Sequence, residues 1–290
     1  MKNKNKAIIY VLCSALGFAF MNLFVKLAGD LPFMQKCFFR NFVAMFFAFG
    51  IMLKQRVPFK QSKEGMKHVW LRSIFGGLGM LCNFYAIDRL VIADASMLNK
   101  LSPFFAIIFS VFLIKEKPKF YQLLCVIVAF VGAVFILKPG MEGLISFPAF
   151  VGMLGGAGAG FAYTNVRLAT AKGVDKPFIV VFFSAFTCLL CLPGLIITFV
   201  PMSGFQWFCM IMTGASATVG QMGITTAYSL AKASEISVYD YSMIIFAAIL
   251  GMLFLKEVPD VFSVVGYVII IGAGVVMFLL NNRKEKQQVT

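Results

Sequence analysis

The sequence predicts an all-α integral membrane protein: ten transmembrane helices in two inverted five-helix repeats, with both termini cytoplasmic. Three observations carry that expectation. The 290 residues are 60% hydrophobic, with a mean hydropathy of +0.89. The apolar residues fall into ten runs of membrane-spanning length. A stretch of the first half also returns in the second.

A soluble domain is about 45–50% apolar and about a quarter charged; here charged residues make up 13%. A soluble core of this size cannot hide so much apolar surface. The 34 Phe against two Trp suit lipid-facing helices. The formal charge of +14 raises nucleic acid as a partner. The basic residues, however, sit at segment ends and in short connections, where they orient a membrane protein. No basic face with interleaved aromatics is present, which excludes nucleic-acid binding. The seven cysteines lie in apolar runs, are odd in number and read as small buried apolar residues. Cys188 and Cys191 have no partner ligands nearby, so no metal and no cofactor is expected.

A span needs about 20 mostly apolar residues, and charges or Pro/Gly breaks divide the chain into such runs. The first, 7–27, follows Lys2, Lys4 and Lys6. More apolar runs follow it, so it reads as a first span rather than a cleaved signal peptide. The second, 32–53, stops at Lys54 and Arg56; the third, 68–88, follows Lys67 and stops at Arg89. The fourth, 91–114, ends at Lys115, and the fifth, 119–137, at Lys138. The connection 138–146, with Lys138-Pro139-Gly140 and Glu142, separates a first repeat (7–137) from a second (147–280). The sixth run, 147–171, reaches Lys172; the seventh, 177–199, follows Lys176; the eighth, 205–229, reaches Lys232. The ninth, 232–255, ends at Lys256, and the tenth, 260–280, stops short of Arg283. Cations crowd one set of ends, while the other set of connections holds only Arg89, Lys138 and Lys256. By the positive-inside rule the crowded ends, and both termini, face the cytoplasm. An odd number of spans per group inverts the second group, as is common in secondary transporters.

Two matches argue for duplication. "GFAFMN" (17–22) returns as "GFAYTN" (160–165), marking the first and sixth helices. "ADASMLNKLSPFFAIIFSVFLIKEKP" (93–118) lies over "SEISVYDYSMIIFAAILGMLFLKEVP" (234–259) at a constant offset of 141, which pairs Lys115-Glu116 with Lys256-Glu257. Apolar helices match by accident easily, but a Lys-Glu-x-Pro end behind a polar cluster does not.

With these segments, "LRSIFGGLG" opening the third run and "AYSLAKASEISVYDYSMIIFAAILGMLFLKEVPD" through the ninth, the chain resembles the EamA-type drug/metabolite transporter superfamily over nearly its whole length. The "DYS…LKEVP" region is most similar to S-adenosylmethionine uptake and riboflavin transporters. The resemblance implies ten helices, a central cavity between the halves and alternating access of small organic solutes. One departure is visible. Ser102-Pro103 in the fourth run is matched by Met243-Ile244, so the second half lacks the proline of a symmetric helix break.

The residues themselves point to a site at mid-membrane. A Lys, Arg or Asp there costs about 2.5–3.5 kcal/mol on insertion scales and needs partners or water. Lys100 and Asn99 lie about a third of the way into the fourth run, and Asp240 similarly deep in the ninth. In inverted halves both depths converge on the midplane. Asp240 is then the negative anchor of a solute site and Lys100 the positive one. Asn22, Asn165 and Asn99 supply hydrogen bonds, and Tyr239 and Tyr241 line or close the chamber. The competing reading is a buried Lys100–Asp240 pair that only joins two helices. Asn22 and Asn165 read equally as interhelical glue, and Arg40 as an anion contact or a snorkelling cation. Arg40-x-x-x-Ala44 also resembles an EamA-type pattern. Arg72 and Arg167 read as interface anchors, and Asp94 and Glu235 as helix-terminal caps. The glycines at 76–79 and 152–160 precede no Gly-Lys-Ser/Thr and read as close-packing positions. The only histidine, His68, lies beside a connection, so no histidine relay crosses the membrane and an enzyme is not expected.

Without an ATP-binding loop, transport runs on gradients or exchange. Asp240 is the proton-coupling candidate: solute binding to Lys100 frees its carboxylate to take up a proton. Mixed charge favours an amino acid or amino-acid-derived zwitterion; the alternative is a broad exporter of amphipathic compounds, suited to the many Phe and Met side chains. The partners expected are a small-molecule metabolite and membrane lipid, with a homodimer allowed.

Overall fold

A computed structural model describes residues 2–113, 115, 118–137, 146–230 and 237–287. Residues 138–145 of the expected connection over 138–146, the Lys117 and Lys232 end charges, the Glu116 repeat position and the Glu235 cap lie outside these residues. Among the described residues the chain is helical and contains no strand. The first half forms α1 (Lys2–Leu27), α2 (Phe33–Lys54), α3 (Lys63–Arg89), α4 (Ile92–Asn99), α5 (Ser102–Leu113) and α6 (Phe120–Leu137). The second forms α7 (Phe147–Ala171), α8 (Lys176–Thr198), α9 (Gly204–Leu230), a 3-10 turn (Ser237–Tyr241), α10 (Ser242–Leu250), a π turn (Gly251–Leu255) and α11 (Val261–Gln287).

Among the described residues, six segments are long and apolar enough to cross a membrane: Asn5–Leu27, Phe33–Lys54, Ile92–Leu113, Phe120–Leu137, Lys176–Thr198 and Val261–Leu280. The helices α3, α7 and α9 run 25 to 27 residues, about 40 Å at 1.5 Å per residue. They are long enough but less apolar, because each carries Gly, Ser or Thr residues and α3 and α7 add Asn and Arg. The outward surface is apolar: Phe46, Ile196, Ile197 and Val268 are between 59% and 81% exposed. Such a coat suits lipid rather than water. The protein is a multi-pass protein of the cell membrane.

The fourth predicted span is broken. Pro103 has no N–H to give the Asn99 carbonyl, and the backbone tightens there through Leu101 N–H to Leu98 O (3.2 Å) and Phe104 N–H to Leu101 O (3.0 Å). The ninth changes from 3-10 to α between Tyr241 and Ser242, the positions opposite Lys100 and Leu101 in the repeat. The break therefore recurs without its proline. Tyr241 is held there by α11: a Cβ on Gly274 would lie 2.6 Å from the Tyr241 ring, so Gly274 is the floor on which the ring rests. Lys115 and Lys256, also repeat-equivalent, both adopt left-handed φ values of 59° and 55°, a conformation uncommon for a non-glycine residue.

Helix pairing has the same two-fold pattern. α3 lies along α7 and α1 along α9, while α2 packs on α8 and α6 on α11. α5 crosses α7 as α10 crosses α1. Exchanging the two halves maps each pairing onto another or onto itself. Glycine makes the long contacts close. A Cβ on Gly158 of α7 would fall 2.8 Å from Gly79 Cα and Phe75 O of α3, and one on Gly17 of α1 would fall 2.8 Å from Gly220 N of α9. The largest buried cluster joins α4, α5, α6 and α11 through Met97, Leu101, Phe104, Ala129 and Ile270.

Candidate functional site

An inner chamber of about 130 Å³ lies between the halves. Its wall on α3 is one helical stripe, Arg72, Gly76, Gly79 and Asn83, where the two glycines make room beneath the guanidinium. α1 contributes Phe18, Met21 and Asn22; the end of α4 contributes Asn99 and Lys100; α7 contributes Tyr163. A second cavity of about 330 Å³ shares Arg40, Arg72, Phe183 and Gln221 with it. It follows the α2 stripe Arg40, Ala44, Ala48, Ile51 and Gln55 outward to the end that carries Lys54 and Arg56. Lys176 and Pro177 at the start of α8 and Thr226 near the end of α9 stand at its mouth. The two cavities form a chamber and a vestibule that open at the cation-rich end.

The opposite end is tied shut. Lys36 Nζ meets Asp88 Oδ1 at 2.5 Å, linking α2 to α3. Lys26 of α1 pairs with Glu257 and also donates to the Leu90 carbonyl, and Glu257 Oε2 accepts from Ile92 N at 2.9 Å. Gln35 brackets Val200, donating to its carbonyl (2.9 Å) and accepting from its N–H (3.1 Å). Lys26 and Lys36 add to the cations of this end, but each is matched by a carboxylate. The bias toward the other end persists.

Of the residues singled out in the sequence, the structure brings several together. Lys100 Nζ donates to Asp240 Oδ2 at 2.5 Å across the junction of α4 with the 3-10 turn. Lys100, Asn99, Asn22 and Arg40 all line the chamber. Asn22 Nδ2 donates to Ser96 Oγ at 3.0 Å, leaving its buried carbonyl oxygen without a partner. Asp240 Oδ1 is likewise buried and unpartnered.

Three others are elsewhere. Asn165 does not face Asn22: it is fully buried, donates to the Phe161 carbonyl (3.0 Å) and meets His68 Nδ1 at 3.0 Å. The repeated phrase instead marks two close-packing glycines with different neighbours. Gly17 backs onto α9, whereas a Cβ on Gly160 would fall 2.6 Å from Ser102 O of α5. Tyr241 rests on Gly274, turned toward α11, and Tyr239 is 37% exposed; neither lines the two cavities. Asp94 is no mere cap, since its buried carboxylate accepts from Tyr267 Oη at 2.5 Å.

Arg72, expected as an interface anchor, also departs from that expectation. It is a chamber residue, its guanidinium carbon 3.4 Å from the Phe183 ring centroid. The signal was its register with Gly76, Gly79 and Asn83. Gln221, Asn83 and Tyr163 also escaped notice.

The comparisons with known proteins decide the family. The sequence pattern of the EamA-like transporter family matches residues 5–138 and again 146–280. The chain belongs to the EamA-like transporter family. As an EamA-like protein it is a membrane transporter of small metabolites and not an enzyme. It is 34% identical to the pseudopaline exporter CntI of Pseudomonas aeruginosa, over 93% of this chain and 94% of that protein. It is 28% identical to an uncharacterized transporter of Helicobacter pylori, over 96% of each chain. It is 25% identical to the S-adenosylmethionine uptake transporter of Rickettsia prowazekii, over 74% of this chain and 72% of that one. A solved crystal structure superimposes with a TM-score of 0.61 at 18% identity, covering 94% of this EamA-like chain and 98% of the other, a likeness of fold alone.

Proposed function

We propose that this protein is a secondary-active transporter of an amino acid or amino-acid-derived zwitterion, working by alternating access of two inverted repeats, 7–137 and 147–280. The reading rests on one observation: an ion pair, Lys100–Asp240, sits at the seam of the two halves beside a chamber that, among the described residues, opens toward the cation-rich end. Each half supplies one partner. A solute that bridges the charges replaces the pair's internal contact with its own, and its departure restores that contact. The site is then complementary to a molecule carrying both signs. The exchange symmetry of helix pairing and the left-handed Lys115 and Lys256 support the inverted arrangement. The cation bias supports cytoplasmic termini, so the vestibule opens to the cytoplasm. A relative named as an exporter and another named for uptake both support metabolite transport.

Asp240 is the coupling group. When solute engages Lys100, the freed carboxylate takes up a proton from the vestibule, so flux answers to a proton gradient. Reconstituted protein is expected to accumulate labelled solute faster when a pH gradient is imposed, and Asp240→Asn to remove that response while remaining folded. Flux indifferent to the gradient, or full gradient-driven activity in Asp240→Asn, sinks the scheme.

A further inference from the structure

Arg40 and Arg72 share the neck between chamber and vestibule, one from α2 and one from α3. Arg40 is 7% exposed; its Nη1 donates to Asn41 Oδ1, a neutral amide, at 2.8 Å, and among the described residues its buried Nε has no partner. Arg72 lies on the Phe183 ring, with Nε and Nη1 buried and unpartnered. Among the described residues no Asp or Glu lines either cavity. Lys100 is already matched by Asp240, so the neck carries two uncompensated guanidinium groups. A guanidinium presents a fixed fork of N–H donors whose natural complement is a carboxylate taken two-pronged. Two forks on facing helices call for two such groups on one molecule.

We propose that the solute is an amino-acid-derived polycarboxylate, with at least two carboxylates held by Arg40 and Arg72. The proposal deepens the transport reading above and rests on it. It makes the solute a net anion rather than a neutral zwitterion. It also assigns Arg72 as the specificity-determining residue, because stacking on Phe183 fixes the plane in which its fork points.

The test is binding to purified full-length protein in metal-free buffer, read by calorimetry and by thermal shift. The probes are glycine, iminodiacetate, nitrilotriacetate and inorganic phosphate, with one, two and three carboxylates and none. Affinity is expected to rise through the first three. Arg72→Gln is expected to weaken nitrilotriacetate by about 10- to 150-fold, the range for a lost bond to a charged group, and to weaken glycine by less. Lys172→Gln, which lies outside both cavities and pairs with Glu64, controls for loss of charge alone and is expected to do nothing. Arg72→Lys keeps the charge but not the fork, and is expected to restore only part of the affinity. Nitrilotriacetate bound no better than glycine by the unsubstituted chain overturns the proposal, whatever the variants do. Phosphate preferred over nitrilotriacetate overturns the carboxylate assignment. Polycarboxylate binding lost in Arg72→Gln, together with flux indifferent to a pH gradient, upholds the two-arginine clamp and removes the coupling scheme. Nitrilotriacetate bound as tightly by Arg72→Gln as by the parent removes the clamp, and gradient-driven glycine flux in the unsubstituted chain then keeps transport.

Discussion

At the scale of the residue, the central question is whether Lys100 and Asp240 hold the protein together or hold the solute. Their side chains are 11% and 21% exposed, so the bond is neither dry nor freely solvated. Removing one partner of a buried pair costs about 3–5 kcal/mol, because the survivor is left charged and alone. That partial exposure places this pair toward the lower end of the range. Replacing both by apolar residues of similar size is often neutral or better. Lys100→Met and Asp240→Leu are therefore each expected to lower the melting temperature, and the double variant to recover it. Transport is expected to stay absent in all three. A double variant that regains flux along with stability assigns the pair a structural role only. Thermal denaturation and flux, measured on the same preparations, separate the two.

At the scale of the element, the spacing between helices is set by backbone meeting backbone. A methyl group on Gly158 would need α3 to move away, since the atoms it meets at 2.8 Å are Gly79 Cα and Phe75 O, which no rotamer can relieve. Gly50 in α2 has nothing within 4 Å of an added Cβ. Alanine there only improves helix propensity, by about 1 kcal/mol. Gly158→Ala is expected to lower the melting temperature and Gly50→Ala to hold or raise it; the reverse order refutes the close-contact account. Elements of this kind were legible in the sequence, because apolar runs, Pro103 and glycine-rich stretches mark spans, breaks and tight faces locally. Lys100 and Asp240 stood out because charges inside apolar runs are rare. Arg72 did not, because a cation within three turns of a charged helix start resembles an interface anchor until the groove beneath it is known. Nor did the contact of Asn165 with His68, which joins two helices far apart in the chain. The break at Tyr241 is likewise set by Gly274 of another helix, and no local motif announces it.

At the scale of the whole molecule, one end is knotted by ion pairs and the other is open. Glu257→Gln removes the charge that Lys26 answers while keeping a hydrogen-bond acceptor for Ile92. It is expected to shift the population toward the state open at the opposite face. A cysteine placed at Asn99, in a background with the seven native cysteines replaced, then reacts several-fold faster with an impermeant thiol reagent from the Glu257 side. Unchanged labelling means that the knot does not gate. The Glu257 carboxylate holds Lys26 with one oxygen and the first N–H of α4 with the other. That helix is only eight residues long and is capped at its far end by Lys100, about 12 Å away. A rod so short does not bend. Whatever slackens the tether at Ile92 tilts the ammonium group at the far tip, so the outer door and the solute's grip are two ends of a single lever.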